Sequence, residues 1–230
     1  MQKRNHLGEE HFISARRATQ EYINTHLIRD HMFHGPVAAQ YYSEPFRIVA
    51  INMESYGYDG INTVDFETLR DWLYDRGNTN TKTVRYTLTL LTGILSCLNA
   101  NTPIKINEWA AFYQDGALLE STMRRTAYYN IRPESNIAIA QNVAAISASG
   151  SSALGRCIWN EVLALDPDIV FISGHAGLKA VNSLIRPMQA ISYSEQAIYE
   201  SGFLIISIPH PSRPDYKHWS LVTERINSAA

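Results

Sequence analysis

The stretch FRIVAINMESYGYDG, residues 46–60, decides the predicted fold, because its apolar run stops abruptly at polar residues and glycines. The segment from Arg47 to Ile51 has the length and the β-branched content of a buried strand. The next residues are too polar and too rich in glycine to continue that strand, so we expect a loop that begins at Asn52. In an open α/β sheet, ligands bind beyond the carboxyl ends of the strands, and a loop in that place is suited to chemistry.

Two later stretches repeat this arrangement of a strand and a polar segment. Asn130 ends a β-prone run that begins at Ala127, and the apolar run 203–208 leads into the proline-flanked segment His210-Pro211-Ser212. Since the carboxyl ends of parallel strands meet at one edge of a sheet, we expect the three strand ends to converge on one candidate site.

Periodicity and turn residues together predict an α/β fold. Four strands are predicted, at 47–51, 126–130, 168–173 and 204–208, with helical stretches between them. This alternation favours a three-layer α/β/α sandwich with a central four-stranded, mainly parallel sheet, built as a single domain over residues 1–230. The helices are expected at 9–30, about 62–76, 81–98, about 108–113, 153–165, 175–185 and about 215–226. Asn62 or Thr63 is the expected cap of the second helix, and 134–152 is expected to be mainly loop.

Length and composition limit the class of protein. The 230 residues are 45% apolar, enough for a full core, and no window approaches the roughly 18 apolar residues of a membrane-spanning helix. Because the start has no apolar signal segment either, we expect a cytoplasmic protein. Two cysteines cannot form a four-cysteine iron–sulfur cluster and are more typical here of reduced core thiols. The formal charge of −2 gives no overall attraction to polyanions, so contacts to nucleic acid would be local.

Three features allow two interpretations each. His31 and His34 have a spacing that binds metal on a helix, but Gly35-Pro36 ends any helix there, so loop anchors are favoured and neither metal nor cofactor is predicted. The pair Arg124-Arg125 either holds a phosphate beside a strand or is a solvated surface pair. The segment 174–177, Gly-His-Ala-Gly, is either an anion seat at a helix start or a tight strand-to-helix turn.

The residues at the predicted strand ends suit recognition of a planar, polar ligand. An asparagine amide offers one acceptor and two donors in a fixed plane, so Asn52 and Asn130 can each read a base edge, hold a water or cap a turn. His210, between two prolines, can donate a hydrogen bond to an oxygen that gains charge, or it is structural. Tyr56 can stack on a planar ligand.

The order and content of these motifs resemble the uracil-DNA glycosylase superfamily, above all its single-strand-selective monofunctional branch. The segment from Ala50 to Gly57 is similar to the family's first motif, Asn-Met-Asn-Pro-Gly-Pro-Phe-Gly. There, Asn52 matches the asparagine that positions the water and Tyr56 the ring that stacks on the flipped base. Asn130 corresponds to the asparagine that reads the pyrimidine edge. His210-Pro211-Ser212 corresponds to the His-Pro-Ser motif, whose histidine stabilises the departing base and whose adjoining loop enters the duplex.

The resemblance spans about residues 46–214 and implies a monofunctional DNA glycosylase. Such an enzyme flips out a pyrimidine-type base, uracil by default, and hydrolyses its N-glycosidic bond without a cofactor. The resemblance implies Asn52 and His210 as catalytic residues and Tyr56, Asn130 and Ser212 as substrate-binding residues. Glu54, two residues after Asn52, is a further catalytic candidate that the family motif does not contain. DNA, the expected partner of a monomer, would be contacted by Arg132, Arg213 and Lys217, with Arg124, Arg125 and Lys179 as further basic residues near the strand ends.

One departure from the family motif leaves the substrate open. Met53-Glu54 stands where the family has Pro-Gly, and Glu54 is a general base for the water, a contact to an unusual base, or an outward-facing loop charge. A modified cytosine of viral DNA is therefore a second candidate substrate, which would make the protein a defence enzyme rather than a repair enzyme.

Two functions without glycosylase activity are also compatible with these residues. One is a non-catalytic binder of modified nucleic acid, which keeps the pocket but has lost hydrolysis through the change to Met53-Glu54. The second is an esterase that uses Ser212 and His210, which is disfavoured because the sequence contains no Gly-x-Ser-x-Gly motif.

Overall fold

A computed structural model describes residues 5–28, 31–56, 61–75, 81–100, 105, 107–136, 152–184, 197–198, 203–208, 222 and 224. Within these ranges the strands are β1 His31–Phe33, β2 Gly35–Pro36, β3 Ile48–Tyr56, β4 Ile61–Thr63, β5 Ala127–Asn136, β6 Ile169–Ser173, β7 Ala197–Ile198 and β8 Leu204–Ile208. The helices are α1 Glu9–Thr25, α2 Gln40–Ser43, α3 Phe66–Tyr74, α4 Thr81–Ala100, α5 Glu108–Gln114, α6 Gly116–Arg125, α7 Ala153–Ala164 and α8 His175–Leu184. The protein is therefore a mixed α/β fold, as predicted.

The main sheet has the strand order β2-β5-β3-β6-β8-β7. Its four inner strands, β5, β3, β6 and β8, are the four predicted strands, and all run parallel. The short strands β2 and β7 pair antiparallel at the two margins, so the sheet has six described strands rather than four. Strands β1 and β4 form a separate parallel pair.

The order of the inner strands creates a switch point in the sheet. In chain order β3 comes first, β5 is added on one side of it, and β6 and then β8 are added on the other side. The direction of growth therefore reverses between β3 and β6. Crevices for ligands in open α/β sheets lie at the carboxyl ends of the strands at such a reversal.

Two of the inner strands run further than predicted. Strand β3 continues to Tyr56 and β5 to Asn136, with Glu54 in register with Arg132, so these positions lie in strands and not in loops. The two strands extend together because each provides the other with a hydrogen-bonding partner for its polar backbone. Pro133 is tolerated in β5 because the pairing of β5 with β2 ends at Tyr128, which makes β5 an edge strand from there on within the described part of the sheet.

Apolar side chains of alternating strand residues pack into two separate hydrophobic cores. Ile48 and Ala50 of β3 belong to a core shared with α3, α4, α5 and α6. Val49 and Ile51 belong to a second core shared with α1, α7 and α8. Since successive residues of a strand point to opposite faces, the two cores take up side chains from opposite faces of β3.

The predicted helices α4, α5, α7 and α8 are confirmed to within a few residues, and the expected face of α4 is buried. Helix α3 starts later than predicted, because the side chain of Asp65 caps it by accepting from the Thr68 backbone N–H, while Asn62 and Thr63 lie in β4. Helix α1 ends at Thr25 instead of residue 30, since Leu27 takes a positive φ of 53°. Helix α6 has no counterpart among the predicted helices.

Parts of the prediction lie outside the described residues. These are the loop from 137 to 151 and nearly all of the last helix, of which only Val222 and Glu224 are described. Of the predicted loop 134–152, positions 134–136 belong to β5. Within the described ranges, no helix combines the length and the hydropathy needed to cross a membrane.

Candidate functional site

Three buried polar side chains lie side by side at the switch point, on three neighbouring strands. Asn52 of β3 is in register with Asn130 of β5, and Ser173 of β6 comes one residue after the pair of Ile51 with Ile172. Asn130, Asn52 and Ser173, which we call the polar row, are 5%, 4% and 0% exposed. Polar groups are rarely buried in this way unless they bind one another or a ligand.

One contact fixes the orientation of the amide in the middle of the polar row. The Ser173 hydroxyl donates to Asn52 Oδ1 and also lies 3.3 Å from the carbonyl oxygen of Ile51. The amide nitrogen of Asn52 therefore faces away from Ser173. This nitrogen is buried and has no hydrogen-bond partner among the described residues. Leaving a buried N–H without an acceptor costs about 1–3 kcal/mol, so this N–H is available to donate to a ligand.

A histidine completes the polar row at its other end. Asn130 Nδ2 lies 3.1 Å from Nε2 of the buried His34. Burial, reinforced by the positive potentials of His31 and Arg16, lowers the pKa of His34 to about 3, while a hydrogen bond with the Met32 backbone opposes this shift. His34 is therefore neutral at physiological pH, and its Nε2 accepts from the amide nitrogen.

The segment that carries His34 is held by a partly buried ion pair. Arg16 of α1 donates to the carbonyl oxygen of His34 and forms an ion pair with Glu161 of α7 at 2.9 Å. Tyr129, next to Asn130 on β5, donates from its hydroxyl to the same Glu161 carboxylate at 3.2 Å. Gly35 has a φ of 153°, and a Cβ there would lie 3.0 Å from the Phe12 ring and 3.2 Å from Arg16. The chain therefore needs glycine directly after His34.

The remaining predicted site residues fall into two groups. The backbones of Glu54, Tyr56 and Arg132 continue β3 and β5 beyond the polar row, which corrects the loop expected for Glu54 and Tyr56. The second group lies outside the described residues: His210, Ser212, Arg213 and Lys217. Strand β8 ends at Ile208, which is in register with Ser173, so the sequence reaches His210 two residues after the edge that bears the polar row.

The paired arginines expected as DNA contacts do not belong to this site. Arg124 and Arg125 end α6 directly before β5 begins, at the opposite edge of the parallel strands. Arg125 makes two hydrogen bonds to Glu44, at 2.7 and 2.8 Å, and the Arg124 guanidinium lies 3.5 Å from the centre of the Phe66 ring. Lys179, by contrast, is exposed near the start of α8, which comes after β6 at the carboxyl edge.

Sequence reasoning identifies Asn52 and Asn130 as neighbours but misses Ser173 and the role of His34. No short-range pattern marks either residue, because Ser173 contacts Asn52 across 121 residues and His34 contacts Asn130 across 96. The signal in the sequence is weak: His34 stands before a glycine, and Ser173 ends a predicted strand. Within the described residues, no group of three or more His, Cys, Asp or Glu side chains is arranged to hold a metal ion.

Comparison of the chain with models of known protein families gives no match, and the search of curated proteins gives none either. The functional assignment therefore depends on the geometry of the polar row and on the motifs in the sequence.

Proposed function

We propose that the chain is a monofunctional DNA glycosylase that acts on a flipped-out pyrimidine-type base. The observation that carries this proposal is the polar row, where two asparagines from distant motifs lie in register, buried, at the switch point of the sheet. The buried amide N–H of Asn52 that finds no acceptor within the described residues supports a site that takes up a ligand. In this proposal the fold is a three-layer α/β/α sandwich, and the protein is a cytoplasmic monomer.

The proposed chemistry divides recognition and hydrolysis among the strand ends. Asn130 reads the edge of the base, Tyr56 stacks on its face, and Asn52 donates a hydrogen bond that holds the attacking water. The oxygen of the water bonds to C1′ of the sugar as the bond from C1′ to the base nitrogen breaks. The electron pair stays on the base, which also takes up a proton, and His210 stabilises the charge that develops on the base oxygen. The products are the free base and an abasic site.

The test is release of a free base from oligonucleotides that carry uracil or a 5-substituted cytosine. Mass spectrometry detects the free base, and alkali cleaves the strand at abasic sites. We expect Asn52→Ala to slow the single-turnover step by about 10²–10³, since it removes a group that acts on the reacting water. Asn160→Ala is the matched control, because Asn160 is exposed on α7, and α7 packs in the core of Val49 and Ile51, on the opposite face of β3 from Asn52.

The outcomes separate the proposal from the competing functions. Release of uracil alone supports repair, and release of only the modified cytosine supports defence against foreign DNA. Binding of the modified oligonucleotide without release of any base identifies a non-catalytic binder. Absence of both binding and release rejects the proposal.

A further inference from the structure

We infer that His34 is a positioning residue, which fixes the orientation of the Asn130 amide and through it the type of base that the site accepts. This inference rests on the proposed function, in which Asn130 reads the base edge. It starts from one contact, the 3.1 Å distance between Asn130 Nδ2 and His34 Nε2, between two side chains that are 5% and 3% exposed.

For the tautomer of His34 that accepts at Nε2, the two groups allow one orientation of the amide. An amide nitrogen can only donate, so His34 Nε2 carries the lone pair and the ring proton is on Nδ1. Turning the amide by 180° would place Asn130 Oδ1 against that lone pair, two acceptors facing each other in a buried site. Loss of a buried hydrogen bond together with this repulsion disfavours the turned amide by about tenfold to a hundredfold.

The surroundings of His34 keep its ring in place. The carbonyl oxygen of His34 accepts from Arg16, which is paired with Glu161, and that carboxylate also accepts from the Tyr129 hydroxyl. Tyr129 is the neighbour of Asn130 on β5, so one network holds both the histidine segment and the strand that carries the asparagine. A side chain that aligns another must itself be aligned by its surroundings, and this network does so.

The fixed amide determines what Asn130 presents to a base. With Nδ2 toward His34, the oxygen Oδ1 lies on the other side of the amide carbon. This oxygen has two lone pairs, so it can accept from a ligand even where it also accepts from a protein donor. A base with a ring N–H at that edge, as in the imide of uracil, satisfies Oδ1. In cytosine the ring nitrogen at that edge carries no proton, so it and Asn130 Oδ1 would be two acceptors facing each other. A site built to accept from a ring N–H rejects such a base strongly.

The hydrogen bond itself is tested without any catalytic readout. In the ¹⁵N-labelled full chain, nuclear magnetic resonance distinguishes the two ring nitrogens of His34 and detects the side-chain NH₂ of Asn130. We expect Nε2 to be unprotonated near neutral pH, and we expect His34→Leu to shift the Asn130 NH₂ signals strongly. His34→Gln should shift them less, because the tip of a glutamine amide reaches the position of Nε2 and can accept. A protonated Nε2 in the wild-type protein overturns the inference. This measurement uses only the wild-type protein, so it does not depend on whether a variant folds.

The consequence for specificity is tested by single-turnover rates on uracil-containing and cytosine-containing DNA. His34→Leu should lower the ratio of the rate on uracil to the rate on cytosine by about tenfold to a hundredfold, since the amide can then turn. His34→Gln should stay within about threefold of the wild-type ratio, which a purely structural role of His34 would not produce. An unchanged ratio in a folded His34→Leu variant overturns the inference. If the wild-type protein releases no base, the proposed function fails, and the resonance measurement alone decides the role of His34.

Discussion

At the scale of single residues, the buried hydrogen bonds of the polar row decide how its amides are oriented. Ser173 orients Asn52 from one side and His34 orients Asn130 from the other. The sequence predicts the two amides, because each comes directly after a recognisable apolar run. It does not predict the two side chains that orient them, because those contacts form only when distant segments pack together.

Ser173→Ala tests the orientation of Asn52. Without the hydroxyl, Asn52 Oδ1 loses its donor and the amide can turn, so we expect the single-turnover rate of base release to fall about tenfold. The control is Ser207→Ala, because Ser207 is equally buried on β8 but belongs to the opposite face of the sheet by strand alternation. Equal losses in both variants would point to general destabilisation instead.

The two buried histidines predict a pH dependence of stability. Burial, reinforced by the charge of Arg16, lowers the pKa of His31 to about 4, and burial lowers that of His34 to about 3. Below pH 6.5 the unfolded chain binds protons that the folded chain does not, so the free energy of unfolding is fully present above about pH 6.5. It falls as the pH drops toward 4, by up to about 1.4 kcal/mol per pH unit for each histidine.

Urea unfolding at several pH values between about 7 and 5 measures this slope. His34→Gln should remove about half of the slope, because glutamine does not titrate. Asn160→Ala, a change at an exposed position of α7 that does not titrate, should leave it unchanged. A slope that is the same in His34→Gln and the wild-type protein would contradict the assignment of the pH dependence to this residue.

At the scale of whole elements, the positions of strands are easier to predict than their ends. The apolar runs identify all four inner strands, but the polar residues after Ile51 and Asn130 suggest loops. Backbone pairing between β3 and β5 overrides that local preference, because a strand's surroundings outweigh the intrinsic preferences of its residues. Helix α6 escapes prediction because it buries only a short stripe, Leu119, Thr122 and Met123.

The positive φ of Gly35, the first residue of β2, yields a prediction about stability. Gly35→Ala should lower the free energy of unfolding by about 1–3 kcal/mol, because its φ of 153° and the close approach of Phe12 and Arg16 leave no place for a methyl group. Gly177→Ala should instead raise it by about 0.5–1 kcal/mol, since Gly177 lies within α8 and an added Cβ would be 3.6 Å from its nearest neighbour. Denaturant unfolding compares the two, and a Gly35→Ala variant as stable as the wild-type protein would contradict the strain argument.

At the scale of the whole molecule, the two edges of the inner sheet have different roles. The carboxyl edge bears the polar row. At the amino edge, the Arg47 backbone N–H donates to the Asp168 carboxylate at 2.8 Å, and the Arg47 guanidinium donates to the carbonyl oxygens of Leu7, Tyr42 and Leu165. Arg47 is 3% exposed, so this arrangement ties the amino-terminal segment to the sheet within the protein interior.

Arg47→Met tests this division of roles. It removes the guanidinium donor of three carbonyl oxygens, of which that of Leu165 still accepts from the Tyr41 hydroxyl. We expect the free energy of unfolding to fall by about 3 kcal/mol while the rate of base release per folded molecule stays near that of the wild-type protein. The control Arg17→Met, at an exposed position of α1, should change stability by less than about 0.5 kcal/mol. A large loss of rate in folded Arg47→Met would show that the two edges are coupled.

The unequal lengths of the inner strands give the site a direction. Beyond the polar row β3 runs on for the four residues to Tyr56, paired with β5, whereas β6 stops level with the row at Ser173. At about 3.3 Å per residue, the paired strands rise roughly 13 Å above the end of β6. The paired ends of β3 and β5 therefore project past Ser173 on one side of the polar row. In the proposed function, a DNA strand bound at this edge meets the extended β3 and β5 on one side only, so its two ends are not interchangeable.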